Sequence, residues 1–179
     1  MLSKKHHQLL ASSLFSLIVL ILGFLFFPEE ELELIWGEDL DMVPVARVVD
    51  GDTIRVTQAG EEQVVRLANI NAPESVDPRR EVECMGVEAS QYLTELLADQ
   101  TVKLLADDTQ ASQDRYGRLL RFVHLADGRD VGELMIAAGF AHAAPYGKGQ
   151  HVYFERYQVA QVQAQQDQRG LWAEDACPR

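Results

Sequence analysis

From Val43 onward the apolar positions first alternate with polar ones and then recur every three and four residues. Alternation marks half-buried strands, and the longer spacing marks helices. Val43 to Val49 and Thr53 to Thr57 read as two strands joined at Asp50-Gly51, a strong hairpin signal. Gln58-Ala59-Gly60-Glu61 is a second turn leading to a third strand, Glu62 to Asn69. Asn71-Ala72-Pro73-Glu74 ends it, because proline cannot continue a central strand. In Gly86 to Leu97 the period changes: Ala89, Tyr92, Leu93 and Leu96 form a helical stripe. Val102 to Leu105 and Leu119 to Leu125 return to strand character, separated by a polar loop from Ala106 to Arg118. Val131 to Ala138 reads as a short helix closed by Gly139. Val152 to Gln168 reads as a long polar helix with Val152, Val159 and Val162 on its buried stripe. Gly170 ends it, and Leu171-Trp172 can pack back on the core. Three strands, a helix, two strands and further helices make an α+β, mainly β domain over residues 43–179. The order suits a five-stranded OB-type barrel with about three helices packed against it.

The N-terminal pattern is different. Leu9 to Phe27 is a 19-residue run without a charge, long enough to cross a bilayer core as a helix of about 20 residues. Lys4 and Lys5 precede it and Glu29 to Glu31 follow it, which favours a cytoplasmic N-terminus. The expected organisation is a cytoplasmic stub (1–8), a transmembrane anchor (9–27) and an acidic spacer (28–42). A cleaved signal peptide is the alternative, giving a secreted domain instead of one held at the cell membrane. The bulky exit Phe26-Phe27 lacks the small residues of a cleavage site. In both readings the domain lies outside the cytoplasmic membrane, where two thiols can pair and stay paired. Cys84 and Cys177 are the two cysteines. A bridge between them would close a loop of about 90 residues, worth roughly 4 kcal/mol in the chain-entropy picture. Two unrelated buried thiols are the alternative.

Charge complicates the functional reading. Beyond Phe27 there are 14 Lys and Arg against 28 Asp and Glu, a balance of −14. Nucleic-acid-binding proteins usually carry a basic face. A local basic cleft can persist on an acidic protein, and Arg55, Arg66, Arg115, Arg118 and Arg121 are the candidates for one.

Several charged residues interrupt the strands. Asp50 and Asp52 lie at the first hairpin, Arg66 inside the third strand between Val65 and Leu67, Glu74 just after it, and Arg118 before the fifth strand. Carboxylates and carbonyls suit a hard cation such as calcium. Guanidinium forks bind phosphate oxygens, and a nearby carboxylate could take a proton from water. Together they suggest metal-assisted phosphodiester hydrolysis. Each also has a plainer reading. Asp50-Gly51-Asp52 alone is a turn, Arg66 could pair with a buried acid, Arg118 could be a solvent-facing turn residue, and Tyr116 could be core. The histidines show no ligand spacing.

The segments VVDGDTIRV, VVRLANINAPE, ECMGVEAS and DRYGR, with the closing GLW, resemble the staphylococcal nuclease (thermonuclease) family over Val45 to Trp172. The resemblance implies an OB barrel with three helices and calcium-dependent cleavage of DNA and RNA that leaves 3′-phosphates. By motif, Asp52 would be a calcium ligand and Ala72 would offer the ion its backbone carbonyl. Arg66 and Arg118 would clamp the phosphate, and Glu74 would act as base or water-positioner. Arg115 and Tyr116 resemble positions that contact a terminal phosphate and a base. One position departs: the family usually has Asp where this chain has Asn71, so the calcium site should be weaker. No protein partner is implied. A catalytically silent, membrane-tethered OB-type binding module, or a calcium-binding structural domain, remain as other readings.

Overall fold

The computed structural model describes residues 42–79, 81–145 and 151–177. All but the last residue of the expected stub, anchor and spacer lie outside them. No helix among the described residues is long and apolar enough to cross a membrane.

Five strands close a barrel: β1 (Val43–Asp50), β2 (Thr53–Gln58), β3 (Glu61–Leu67), β5 (Thr101–Ala106) and β6 (Leu119–Leu125). The first three form an antiparallel meander, with Val45 opposite Val56 and Thr53 opposite Arg66. β6 then lies parallel to β3, with Arg66 beside Leu120, and antiparallel to β5, with Val102 opposite Leu125. β5 returns to β1 through Val43 and Val102, so the ring has no free edge. Ile54 and Val56 of β2, Val65 and Leu67 of β3, Val102 of β5 and Val123 of β6 point inward and are buried. Each such side chain contributes roughly 1.5–3 kcal/mol when fully buried. A pair of two-residue strands, β4 (Ile70–Asn71) and β7 (His142–Ala143), extends the fold beside the barrel.

Three helices follow the pattern with one revision. α1 (Gly86–Leu97) buries Ala89, Leu93 and Leu97. α2 (Val131–Ala137) starts at an Asp130 cap whose Oδ1 accepts the Glu133 N–H at 3.0 Å, and Gly139 leaves it at φ 79°. α3 (Phe154–Gln166) begins two residues later than expected and turns a different face inward. Val152, Val159 and Val162 are 80%, 68% and 49% exposed, and the buried set is Tyr157, Ala160 and Ala164. The Tyr157 hydroxyl reaches Asp130 Oδ1 at 3.0 Å, so this face docks on the start of α2. A Cβ at Gly132 would collide with that hydroxyl.

The first hairpin also differs in its chemistry. Asp50 pairs with Thr53, which makes Gly51-Asp52 the turn. Gly51 is not among the glycines with positive φ. Its small size matters instead: a Cβ there would lie 2.7 Å from the Ala72 Cβ and 2.9 Å from the Ala89 Cβ. Glycine thus brings the hairpin tip against α1 and the strand exit that carries the next functional residues. Cys84 and Cys177 form a disulfide across 93 residues.

Candidate active site

Barrel register explains why residues distant in sequence meet. Asp52 precedes β2, Arg66 is the next-to-last residue of β3, and Arg118 precedes β6. β2, β3 and β6 are neighbours, so these three positions fall at one rim. β4 then delivers Asn71, Ala72, Pro73 and Glu74 to the same rim. A cavity of about 380 Å³ is lined there by Asp50, Asp52, Arg66, Asn71, Ala72, Pro73, Glu74, Glu83, Arg115 and Arg118.

Within it the charges are paired and held. Arg66 Nη2 lies 2.7 Å from Asp52 Oδ2, and the two residues are 8% and 6% exposed. Arg66 Nη1 donates to the Leu67 and Ile70 carbonyls at 2.8 and 2.9 Å, and Nη2 reaches Asn71 Oδ1 at 3.3 Å. The guanidinium is therefore fixed on the β3–β4 turn, whose Asn69 has φ 60°. Asp52 Oδ2 also accepts the Ala72 N–H at 2.9 Å, and its Oδ1 accepts the Thr53 hydroxyl at 3.1 Å. Burial pushes the Asp52 carboxyl up to about 7; Arg66 pulls against that rise and the neighbouring Asp50 adds to it.

The second arginine is positioned by its own loop. Arg118 Nε donates to Asp114 Oδ2 at 2.6 Å, and the Arg118 N–H to Oδ1 at 3.0 Å. Burial works to raise the Asp114 carboxyl, but the bonds from Arg118 and the Tyr116 N–H hold it below the usual carboxylate range. Arg118 Nη1 comes within 3.5 Å of the Thr53 hydroxyl, which faces it across the rim. Arg115 and Arg118 both lie over the Tyr116 ring, 4.8 and 5.5 Å from its centroid. Tyr116 is exposed, which removes the core-packing alternative for it. A second cavity of about 360 Å³, lined by Arg66, Leu67, Asp114, Arg115, Tyr116, Arg118 and Leu120, opens on this side.

Glu74 lines the first of these cavities. Its Oε1 accepts the N–H groups of Ser75, Val76 and Asp77 at 3.0, 2.8 and 3.1 Å. One carboxylate thereby caps the turn that follows it.

All eight sequence-derived candidates for catalysis, substrate and metal line one or both cavities. The plainer reading of Arg66 also holds in geometry, because it does pair with a buried acid, Asp52. Two of the basic candidates fall elsewhere: Arg55 pairs with Glu62 across the hairpin at 3.2 Å, and Arg121 bonds the Ser112 carbonyl at 3.0 Å. Sequence reasoning passed over Glu83 and Asp114. Asp114 opens the DRYGR motif four residues before Arg118, and that spacing was the available signal. Among the described residues no three His, Cys, Asp or Glu side chains form a metal-holding group by themselves.

The chain is also similar to known proteins. The chain is 38% identical to the thermonuclease of Staphylococcus hyicus over 130 residues, 72% of this chain and 74% of that protein. It is 35% identical to an uncharacterized endonuclease of Escherichia coli O157:H7 over 140 residues, 75% of this chain and 78% of the other. It is 30% identical to endonuclease YncB of Bacillus subtilis over 131 residues, 73% of this chain but 61% of that protein, under two thirds of its length. The sequence model of the family described as Staphylococcal nuclease homologue matches residues 64–174, a range that holds Arg66, Asn71, Glu74, Arg115 and Arg118 and begins after Asp52. With a mainly β five-stranded barrel, three helices and this rim of arginines and carboxylates, the chain belongs to the staphylococcal nuclease family.

Proposed function

We propose that the protein is a calcium-dependent nuclease that cleaves DNA and RNA outside the cytoplasmic membrane and leaves 3′-phosphates. Family membership makes it a phosphodiester-hydrolysing enzyme. One observation carries the finer reading: three arginines, four carboxylates and an amide oxygen share one cavity at the barrel rim.

In this reading the phosphodiester sits between Arg66 and Arg118. The fork of Arg118 takes the non-bridging oxygens, and Arg66, whose Nη hydrogens are already bonded, opposes through its charge the negative charge that grows there as water attacks phosphorus. Arg66 is already immobilised by two carbonyls and Arg118 by Asp114, so little reorganisation is needed. Glu74 orients the water and takes its proton as the bond from phosphorus to the 5′-oxygen breaks, and the departing 5′-oxygen takes a proton from solvent. Arg115 and Tyr116 would hold the terminal phosphate and the base, the exposed ring serving as a stacking surface.

The donor set fits a hard cation: the Asp52 carboxylate, the Asn71 amide oxygen and the Ala72 carbonyl, with Asp50 behind them. Asp50 and Asp52 stand two residues apart at this rim, and a bound cation would offset their mutual repulsion. Calcium when bound would supply charge against the phosphoryl oxygens. Asn71 makes the site poorer in charge, tolerable where calcium is abundant, and we place the domain there by an anchor at residues 9–27. Cleavage of single-stranded DNA by the full chain with calcium, abolished by chelator, is the expected result. Arg118→Ala should lower turnover by about 10²–10³-fold. No cleavage at any calcium concentration would leave the second reading, a silent binding module, which the neutral Asn71 favours.

A further inference from the structure

Glu74 lies on a segment whose described residues form no helix or strand, between Asn71 at the end of β4 and Gly86 at the start of α1. Such segments are mobile unless tied down. Here a reciprocal pair of bonds ties it: the Glu74 N–H donates to Glu83 Oε2 at 3.0 Å, and the Glu83 N–H donates to the Glu74 carbonyl at 2.8 Å. The Glu74 carbonyl also lies against Gly86, where a Cβ would come within 2.7 Å of it. The residue after Glu83 is Cys84, bonded to Cys177.

The other end of that disulfide is equally well fixed. The segment before Cys177 runs through a 3-10 turn, Gly170–Trp172. The Leu171 N–H donates to the Gly139 carbonyl at 2.8 Å. Gly139 and Gly170 have φ 79° and 50°, and a Cβ on either would run into the other strand of this contact. Trp172 meets the His142 ring edge-on at 5.0 Å, and His142 pairs with Asn71 in the β4–β7 ladder. One short C-terminal stretch thus contacts the strand pair that carries Asn71 and, through the disulfide, the segment that holds the Glu83–Glu74 pair.

We propose that the Cys84–Cys177 bridge and Glu83 are positioning elements for Glu74, so that the C-terminal segment sets the placement of the general base. This rests on the nuclease reading above. A proton acceptor must stay within hydrogen-bond reach of its water, and a displacement of about 1 Å can cost on the order of 10²-fold in rate. The bridge touches neither arginine clamp: Asp52, Arg66 and Arg118 are held from the barrel strands and the Asp114 loop. Its loss should therefore act on turnover and spare substrate binding. A bridge with a purely structural role, stabilising through the unfolded chain, would lower the melting temperature and leave kcat alone.

The experiment uses the full chain with calcium and single-stranded DNA, well below each variant's own melting temperature. Cys84→Ala/Cys177→Ala should lower kcat by about 10-fold or more, with KM and half-saturating calcium within about twofold of the parent. Glu83→Ala, with the bridge intact, should lower kcat at saturating calcium by a similar factor, and Glu83→Gln, which loses the same charge but keeps an acceptor for the Glu74 N–H, should restore most of it. Combined with the cysteine changes, Glu83→Ala should add little, because both act along one path. Parental kcat in the cysteine variant overturns the proposal; if that variant does not fold, parental kcat in Glu83→Ala does so. Glu74→Gln in the parent chain separates the two levels. Retained turnover there sinks the role of Glu74 itself, whereas lost turnover there with parental kcat in the cysteine variant sinks only the positioning.

Discussion

Asn71→Asp should tighten the calcium requirement, and the structure sets how much. Asn71 is exposed at the cavity rim, and its Oδ1 accepts from Arg66 Nη2 at 3.3 Å. A carboxylate there would add one unit of charge beside the proposed ion. At an effective dielectric constant of about 20, two unit charges about 4 Å apart attract by roughly 4 kcal/mol, and a divalent ion by more. Most of this is offset. Without calcium the new carboxylate would share Arg66, which Asp52 already holds at 2.7 Å, and that attraction must be given up in part. Solvent at an exposed position screens the remainder. A net gain of about 1.4–2.8 kcal/mol is left, or roughly 10- to 100-fold in calcium affinity. Two assays read it: calcium titration of cleavage on single-stranded DNA, and the rise in melting temperature on adding calcium to inactive Glu74→Gln protein. The second follows binding without turnover. In chelator the Asn71→Asp chain should melt slightly lower than the parent, because Asp50, Asp52 and Glu83 line the same cavity. Unchanged half-saturation together with an unchanged calcium-induced shift would refute the placement of Asn71 at the ion.

Two further outcomes concern the scaffold. Tyr157→Phe should destabilise the fold by about 1–3 kcal/mol in chemical denaturation: the buried hydroxyl reaches both Asp130 oxygens, at 3.0 and 3.1 Å, and its loss strips a donor from a buried helix cap. Cleavage well below the melting temperature should be unchanged, since this network lies outside the cavity lining. Asp107→Asn should flatten the acid limb of stability. Burial acts to raise the Asp107 carboxyl, but bonds from the Thr109 hydroxyl and N–H and the Asn69 and Gln110 amides hold it below its ordinary value. A carboxyl lowered on folding stabilises the protein above its unfolded value of about 4, and that contribution is lost as pH falls through the folded value. Melting temperatures of parent and Asp107→Asn should therefore differ most near neutral pH and converge as pH falls through the lowered folded value.

What the sequence reveals of this fold divides along physical lines. α1 is legible because its apolar residues repeat at helical spacing, and β6 because it is a short, mostly apolar run after a polar loop; both occupy the expected residues. The face of α3 is not, because bulk misleads. Its valines are exposed while Ala160 and Ala164 go inward, small residues that let the helix approach α2 with Tyr157 as the one large anchor. The spacing of Tyr157, Ala160 and Ala164 by three and four was there to read, but alanine carries little weight as an apolar signal. The Asp50-Gly51 signal indicates a hairpin without showing why glycine is needed, since the reason is Ala72 and Ala89 far along the chain. The same limit applies at the site. Motifs name Asp52, Arg66, Glu74 and Arg118, but the ion pair of Asp52 with Arg66 follows from the pairing of β2 with β3, and the bracing of Glu74 by Glu83 from the path of an irregular segment, neither of which a local pattern encodes.

The acidic balance bears on how such a rim meets its substrate. Residues 28–179 carry 14 Lys and Arg against 28 Asp and Glu, yet Arg66, Arg115 and Arg118 gather at one cavity. The two facts act at different ranges. At about 10 mM salt the Debye length is roughly 30 Å, so an approaching strand feels the whole negative domain. At about 100 mM it is roughly 10 Å, and the local arginines dominate. At saturating calcium, kcat/KM on single-stranded DNA should therefore rise between about 10 and 100 mM salt. Above that it should fall as counterions compete for the phosphates, with a slope near −2 in log–log form for three arginine contacts, about −0.7 for each on a single strand. Arg115→Ala should make the falling limb shallower by one such contact without altering the rising one, because the rise belongs to the domain's overall charge. A monotonic fall from the lowest salt would mean that the strand approaches a basic surface, and that the −14 is not felt along its path.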